Sequence, residues 1–167
     1  MVKGIVAILK AKLKIEGGNK IGTLVEILCD CSTRQEWDST IHESKLIKRY
    51  SKNLVTRLFV VKIPVLLMQN REFVEKMIVF RWKDAMYLYA TSIDDSFSPI
   101  RSDMTRGKTL LWGTKITREG DSIIVQTVAQ IDFKFYFSLA SVSTKLATGL
   151  EKFRTELIAK LAKNKST

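Results

Sequence analysis

The sequence predicts an α+β fold in which a curved antiparallel sheet wraps around a long C-terminal helix. Two observations indicate this class. Six strand-like segments follow one another from Ile41 onward, mostly joined by short polar turns, and an apolar stripe at helical spacing then runs almost to the C-terminus. With 167 residues, of which 46% are hydrophobic, the chain has the size and composition of one globular domain over residues 1–167.

The N-terminal region predicts one strand and two helices. Residues 9–16 alternate between apolar and charged side chains, as a half-buried strand does. A Gly-Gly-Asn break follows, and the apolar period then changes to that of a helix over residues 20–31. Thr33, followed three residues later by Glu36, predicts an N-cap and a short second helix over 33–38.

The middle of the chain predicts a meander of antiparallel strands. The predicted strands are Lys45–Tyr50, Leu54–Ile63, Glu72–Trp82, Ala85–Ser92, Thr105–Thr117 and Ser122–Asp132. Turns such as Lys83-Asp84 are short and polar, which is typical of hairpins. One connection, Ile93–Met104, spans about a dozen residues and is predicted to be a lid or binding loop.

The C-terminal segment predicts a helix over about residues 138–163. Its apolar residues recur every three or four positions and should form one stripe on the sheet. The stripe consists of Leu139, Val142, Leu146, Leu150, Phe153, Leu157 and Leu161. Such an arrangement leaves a space between the sheet and the helix that either side chains or a ligand must fill.

The formal net charge is +11, and the basic residues concentrate in residues 1–20, 43–62 and 138–167. A positive field of this size favours anionic surfaces, either phospholipid headgroups or nucleic acid. A solvated basic surface without a particular partner is the alternative. The nucleic-acid interpretation depends on charge alone, so we expect no nucleic-acid partner.

No constellation for catalysis is found. His42 is the only histidine and lies near no Gly-framed nucleophile, so neither Ser-His-Asp nor Cys-His chemistry is indicated. Cys29 and Cys31 are too close in sequence for an unstrained disulfide, which predicts reduced thiols and an intracellular compartment. The longest apolar stretch, Leu58–Met68, is too short for a membrane span. We therefore expect a non-enzymatic protein without metal or cofactor.

Charged and polar residues within the apolar strands are the candidate binding residues. A strand residue that points inward must be paired or solvated, and an inward arginine could anchor the polar head of an otherwise apolar ligand. There are two alternatives: these side chains point outward to solvent, or they pair with each other inside, for example an arginine with Asp132. Together with aromatic residues, the candidates are Arg57, Arg71, Arg106, Gln126, Asp132, Tyr87, Trp112, Phe135 and Phe153.

The aromatic cluster Phe133–Phe137 lies where the last strand gives way to the helix. Four aromatic residues among five cannot all face one core, so we expect some of them to be exposed or to line an opening. Beside a basic surface, such a rim would suit membrane docking.

Five motifs in order resemble the START (StAR-related lipid transfer) domain family over about residues 4–162. They are Arg34-Gln35-Glu36-Trp37-Asp38, Asn70-Arg71-Glu72-Phe73-Val74, Ser92 with Pro99, Thr105-Arg106-Gly107, and Asp132 before the long helix. The resemblance implies a helix-grip fold, also called START/Bet v 1-like, that encloses a tunnel for one lipid molecule. It also implies that the helix and the loop 93–104 gate the tunnel, and that the domain is not an enzyme.

Three features depart from the family pattern. The chain begins near the third strand of the family, so we expect one sheet edge to be bare or differently covered. The usual Arg-Asp pair is Arg71-Glu72 here, and Met77 stands where the sterol-binding branch has a cation. These departures weaken a cholesterol assignment and select no other lipid.

The expected function is therefore binding of one phospholipid, sterol or sphingolipid, with transfer between membranes or sensing. Arg71 and Arg106 are the expected anchors for the polar end, with Asp132 paired to one of them. The expected protein is a cytoplasmic monomer that contacts an anionic membrane surface transiently as a peripheral protein. A regulatory ligand-sensing or protein-interaction module without lipid transfer is the alternative.

Overall fold

An eight-stranded sheet and a long helix make up most of the structure, a computed structural model that describes residues 6–17, 20–63, 67–134 and 139–164. The strands are β1 (Val6–Ile15), β2 (Ile41–Ser51), β3 (Leu54–Val61), β4 (Arg71–Trp82), β5 (Ala85–Ser92), β6 (Thr105–Arg106), β7 (Lys108–Glu119) and β8 (Ser122–Asp132). The helices are α1 (Ile21–Cys29), α2 (Arg34–Trp37) and α3 (Leu139–Lys163).

The strand order β1-β8-β7-β5-β4-β3-β2 is that of an antiparallel meander. Consecutive strands pair from β2 to β5 and from β7 to β8, because their connections are mostly short hairpins. The two-residue β6 runs parallel to the start of β4 and lies off this path. The predicted α+β class and antiparallel sheet are confirmed, with β1 and β2 as the two edges.

The main core lies between one face of the sheet and the helices α1 and α3. We call this the inner face of the sheet and the opposite one the outer face. Because side chains alternate along a strand, the residues that β1, β3, β4, β5, β7 and β8 contribute to it lie on this one face. The buried cluster is Ile15, Leu24, Ile27, Leu28, Val55, Met77, Val79, Leu88, Ala90, Ile116, Ile123, Val125, Leu157 and Leu161.

The predicted C-terminal helix is confirmed almost to the residue, but its apolar stripe is not buried throughout. Leu157 and Leu161 are buried in the core, and Phe153 packs against it. Leu150, one turn before Phe153, lies outside this cluster and is 41% exposed. The prediction that Leu150 packs on the sheet is therefore wrong, since the described core ends at the next turn of α3.

Two local predictions hold only in part. Thr33 occupies the N-cap position of α2, as predicted, but its hydroxyl makes no capping hydrogen bond and instead donates to the Asp30 carboxylate at 2.7 Å. The predicted strand Thr105–Thr117 is interrupted at Gly107, which separates β6 from β7. A Cβ atom on Gly107 would stand 2.4 Å from the Phe73 ring, so only glycine allows the chain to approach β4 this closely.

No helix among the described residues combines the length and the apolar character that crossing a membrane requires.

Candidate functional site

An ion pair between Arg57 and Glu75 lies on the inner face of the sheet. The two residues stand directly opposite each other on β3 and β4. Arg57 donates to Oε2 of Glu75 from Nη2 at 3.0 Å and from Nε at 3.3 Å. The Arg57 side chain is 11% exposed and that of Glu75 only 2%. The site therefore holds two opposite charges within a largely apolar interior.

Aromatic rings surround the Arg57 guanidinium. Its carbon lies 5.1 Å from the ring centre of Phe59 and 5.4 Å from that of Trp112. Both distances suit a cation–π contact. The predicted candidates Arg57 and Trp112 are therefore brought together, on strands that are not neighbours in the sheet.

A second arginine–carboxylate pair lies at α2, on the helical side of the interior. Arg34 donates to Oδ2 of Asp38 at 2.8 Å, and its guanidinium lies over the rings of Trp37 (4.6 Å) and Phe153 (5.1 Å). Burial lowers the pKa of Arg34, Asp38 acts in the opposite direction, and the charge of Arg57 lowers it further. Phe153 is thus a partner of Trp37 and Arg34 at the boundary of the core.

Trp37 carries a polar atom that no neighbour satisfies. Its indole Nε1 is buried and has no hydrogen-bond partner among the residues that the structure describes. A buried donor without an acceptor is costly, and such a group often marks a place where a ligand or a water binds. Trp37 therefore offers an unused hydrogen-bond donor beside Arg34.

A cavity of about 590 Å³ opens between the inner face of the sheet, α1 and the C-terminal end of α3. Its apolar wall includes Val55, Met77 and Val79, which are core residues. Arg49, Lys52 and Lys160 also line it. A cavity with an apolar wall and a few charged groups is typical of sites for small amphiphilic molecules.

The two cysteines line the same cavity, and burial raises the pKa of both. The pKa of Cys29 rises to about 11, because desolvation outweighs the nearby charge of Arg57. The Sγ of Cys31 donates to the backbone carbonyl of Cys29 at 3.7 Å. Both groups are therefore neutral thiols near pH 7, and the thiolate needed for nucleophilic attack is scarce.

Arg71 is buried at the start of β4, where it contacts backbone. Its Nε donates to the carbonyl of Phe133 at 2.7 Å, and its guanidinium also donates to the carbonyl of Gln69. The Phe133 ring is buried edge-on against Phe73. Arg71 thus joins the start of β4 to the segment that follows β8 and leads towards α3.

Arg106 does not face the interior between sheet and helix. It donates to Glu72 at 3.0 Å, to Asp95 at 2.5 Å and to the carbonyl of Ser98 at 2.9 Å. Glu72 alternates with the inner-face residues of β4 and therefore belongs to the outer side of the sheet. Through these partners Arg106 fastens the loop 93–104, on the side of the sheet away from the helices.

Glu72 joins two arginines to one carboxylate. Its side chain is fully buried and accepts from Arg101 at 2.8 Å as well as from Arg106. Arg101 also pairs with Glu43 at 2.6 Å, and this hydrogen bond is the first cause of the raised pKa of Arg101. The loop 93–104 is therefore held by a network of charges.

The remaining candidates lie elsewhere. Asp132 accepts from the backbone N–H of Lys134 at 2.8 Å and from its ammonium at 2.6 Å, so its cation is Lys134 rather than Arg106. Tyr87 and Gln126 lie on the outer face, because they alternate with the core residues Leu88 and Val125. Phe135 lies outside the described residues.

Sequence reasoning did not single out Glu75, and it named Arg34 and Trp37 only within the motif that carries the family resemblance. The signal for Arg34 was present, since Arg34 and Asp38 have the i, i+4 spacing that places two residues on one helical face. A carboxylate within the apolar segment of β4 was the only signal for Glu75, and its partner is 18 residues away in the chain.

Solved structures of the same fold are found at low sequence identity. Human STARD10 is 21% identical with a TM-score of 0.74, over 89% of this chain and 63% of that one. Human StAR-related lipid transfer protein 5 is 18% identical with a TM-score of 0.78, over 96% of this chain and 77% of that one. The chain therefore spans less than two thirds of STARD10.

An enzyme also shares the architecture. The di-domain ARO/CYC StfQ of the steffimycin biosynthetic pathway is 8% identical with a TM-score of 0.62, over 96% of this chain and 52% of that one. No protein-family model matches the chain, and no curated protein matches it in sequence. The predicted fold is confirmed by these structures: the chain folds as a START-like domain, with a large antiparallel sheet and a C-terminal helix.

Proposed function

We propose that the protein binds one lipid molecule between the inner face of the sheet and its helices, and that it carries or senses this lipid without catalysis. The observation that carries the proposal is the buried Arg57–Glu75 pair beside Trp112. The START domains of similar fold, among them the human lipid transfer protein 5, support the choice of a lipid as ligand.

The buried pair is difficult to explain by stability alone. Removing two charges from water costs several kcal/mol per ion, and apolar residues of similar volume are often at least as stable in their place. A guanidinium and a carboxylate together can donate to and accept from a hydroxyl, amide or phosphate group. We therefore assign Arg57 and Glu75 to the polar end of the ligand, with the Trp37 indole N–H as a further donor.

Apolar surface would supply most of the affinity. Burial of each methylene contributes about 0.8 kcal/mol, so a long acyl chain on the cavity wall binds strongly. The same term opposes release into water, so exchange requires contact with a membrane. Arg71 and the Arg106 network adjoin the segments before α3 and the loop 93–104, and we assign them to positioning these segments rather than to contacting lipid.

The experiment is native mass spectrometry of the purified protein after exposure to a mixed lipid extract. We expect one lipid class at one molecule per protein. The double variant Arg57→Met, Glu75→Leu keeps volume and removes both charges, and it should remain folded but lose this lipid. The matched control is Arg154→Met, Glu151→Leu, which removes an exposed ion pair on α3 and should retain it.

Two results would contradict the proposal. A folded wild-type protein that retains no lipid would favour the alternative of a regulatory protein-interaction module. Equal lipid retention by the double variant and the wild type would remove Arg57 and Glu75 from the site.

A further inference from the structure

The outer face of the sheet carries an exposed aromatic surface at the β4–β5 hairpin. We call it the hairpin surface, and it consists of Tyr50, Ile78, Phe80, Trp82, Tyr87 and Tyr89. All except Tyr87 are exposed, and Trp82, at the last position of β4, is 58% exposed. Large apolar side chains that cluster on a surface indicate an interaction site.

The rings of the hairpin surface contact one another. Phe80 and Tyr87 are register partners on β4 and β5, and their rings stack with centres 5.3 Å apart and planes 11° apart. Trp82 lies on the same side, with its ring 6.2 Å from that of Tyr87. A nucleobase needs a free ring face for stacking. Phe80 and Tyr87 each use one ring face on the other, which leaves less free ring surface for stacking bases.

Lysines border the aromatic rings. Lys48 and Lys76 lie over the Tyr50 ring at 5.1 and 4.6 Å, and Lys83 lies over the Trp82 ring at 4.8 Å. Lys115 is the register partner of Tyr87 on β7. Two carboxylates lie near these strand ends, Asp84 in the hairpin turn and Glu119 at the end of β7. The surface therefore combines apolar rings with a positive border.

We propose that the hairpin surface docks on the anionic phospholipid surface of a membrane. Tyrosine and tryptophan suit the boundary between headgroups and acyl chains, since each has an apolar body and a polar tip. Lysines at the border attract anionic headgroups. An acidic protein would match the same charges, but the exposed, aliphatic Ile78 and the tip position of Trp82 favour partial insertion into lipid.

The hairpin surface is separate from the loop 93–104, which covers another part of the outer face. The hairpin 83–84 lies at the opposite end of β4 and β5 from the loop 93–104 and the Arg106 network. Docking at this surface therefore leaves the loop free of the membrane. The inference does not depend on the cavity binding lipid, because docking is measured with protein that carries no cargo.

The test is co-sedimentation with vesicles of phosphatidylcholine and of an equal mixture of phosphatidylcholine and phosphatidylserine. We expect the wild type to sediment with the mixed vesicles and weakly with the neutral ones. Trp82→Ala should lower the partition coefficient on mixed vesicles about tenfold. Lys76→Gln and Lys83→Gln should each lower it about fivefold and reduce its dependence on salt.

Matched controls lie elsewhere on the sheet. Ile8→Ala removes an exposed apolar side chain of β1, and Lys62→Gln removes an exposed cation just after β3. Both should leave the partition coefficient within about twofold. The Arg57→Met, Glu75→Leu variant should also bind vesicles normally, which separates this proposal from that of the cargo site.

Three results would overturn the proposal. One is that Trp82→Ala binds mixed vesicles as well as the wild type does, so that it cannot be told apart from the control Ile8→Ala. Another is that the wild type fails to sediment with either vesicle. The third is that Trp82→Ala loses affinity for a fluorescent single-stranded oligonucleotide or an acidic peptide while vesicle binding is unchanged.

Discussion

Arg57 and Glu75 stand opposite each other on adjacent strands, 3.0 Å apart, and each is the other's counter-ion within the core. This relationship predicts an unusual pair of stability changes. Glu75→Gln leaves the Arg57 charge uncompensated, and the free energy of unfolding should fall by about 3–5 kcal/mol. The double variant Arg57→Met, Glu75→Leu should recover most of this loss. Urea denaturation measures both, and a double variant less stable than Glu75→Gln would contradict the argument.

The carboxylate of Glu72 predicts how the loop 93–104 is fastened. Glu72→Gln weakens the pairs with both Arg101 and Arg106, so we expect a loss of about 2 kcal/mol and faster amide hydrogen exchange in the loop. Glu43→Gln is the control, because it removes only the outer partner of Arg101. Equal exchange rates in the two variants would show that Glu72 does not hold the loop.

The sequence predicted those pairings that depend on short connections. Lys83-Asp84 is a two-residue turn, so Phe80 must lie opposite Tyr87 once the hairpin is recognised. The long helix was predicted because its period of three or four residues continues over six turns. Local spacing was sufficient in both cases.

Pairings across longer connections could not be predicted. The connection between Val61 and Arg71 is too long to be a tight turn, and a long connection does not fix the register of the strands it joins. The pairing of Arg57 with Glu75 therefore could not be derived from the sequence. The surroundings of Arg106 were hidden for a related reason. Strand alternation tells which residues share a face, but not whether a loop covers that face, and here the loop 93–104 does so.

The environment of Cys29 predicts a loss of stability at alkaline pH. Burial raises the pKa of its thiol from the ordinary 9.0 to about 11 in the folded protein. The unfolded chain therefore releases this proton first, and stability falls as the pH rises from about 9 to 11. The fall should reach at most about 2 kcal/mol. Urea denaturation across this range, compared with Cys29→Ala, isolates the contribution, because lysines and tyrosines titrate in both proteins.

The close approach of Gly107 to Phe73 predicts that the break between β6 and β7 tolerates no side chain. In Gly107→Ala the new Cβ would stand 2.4 Å from the Phe73 ring, which is itself stacked on Phe59 and cannot simply move away. We expect a loss of about 1–3 kcal/mol in urea denaturation. The control is Gly22→Ala on α1, where the Cβ meets no atom within 4 Å. Because alanine favours a helix over glycine, this variant should gain about 0.5–1 kcal/mol. A Gly107→Ala protein as stable as Gly22→Ala would mean that β4 and the chain at Gly107 can separate at little cost.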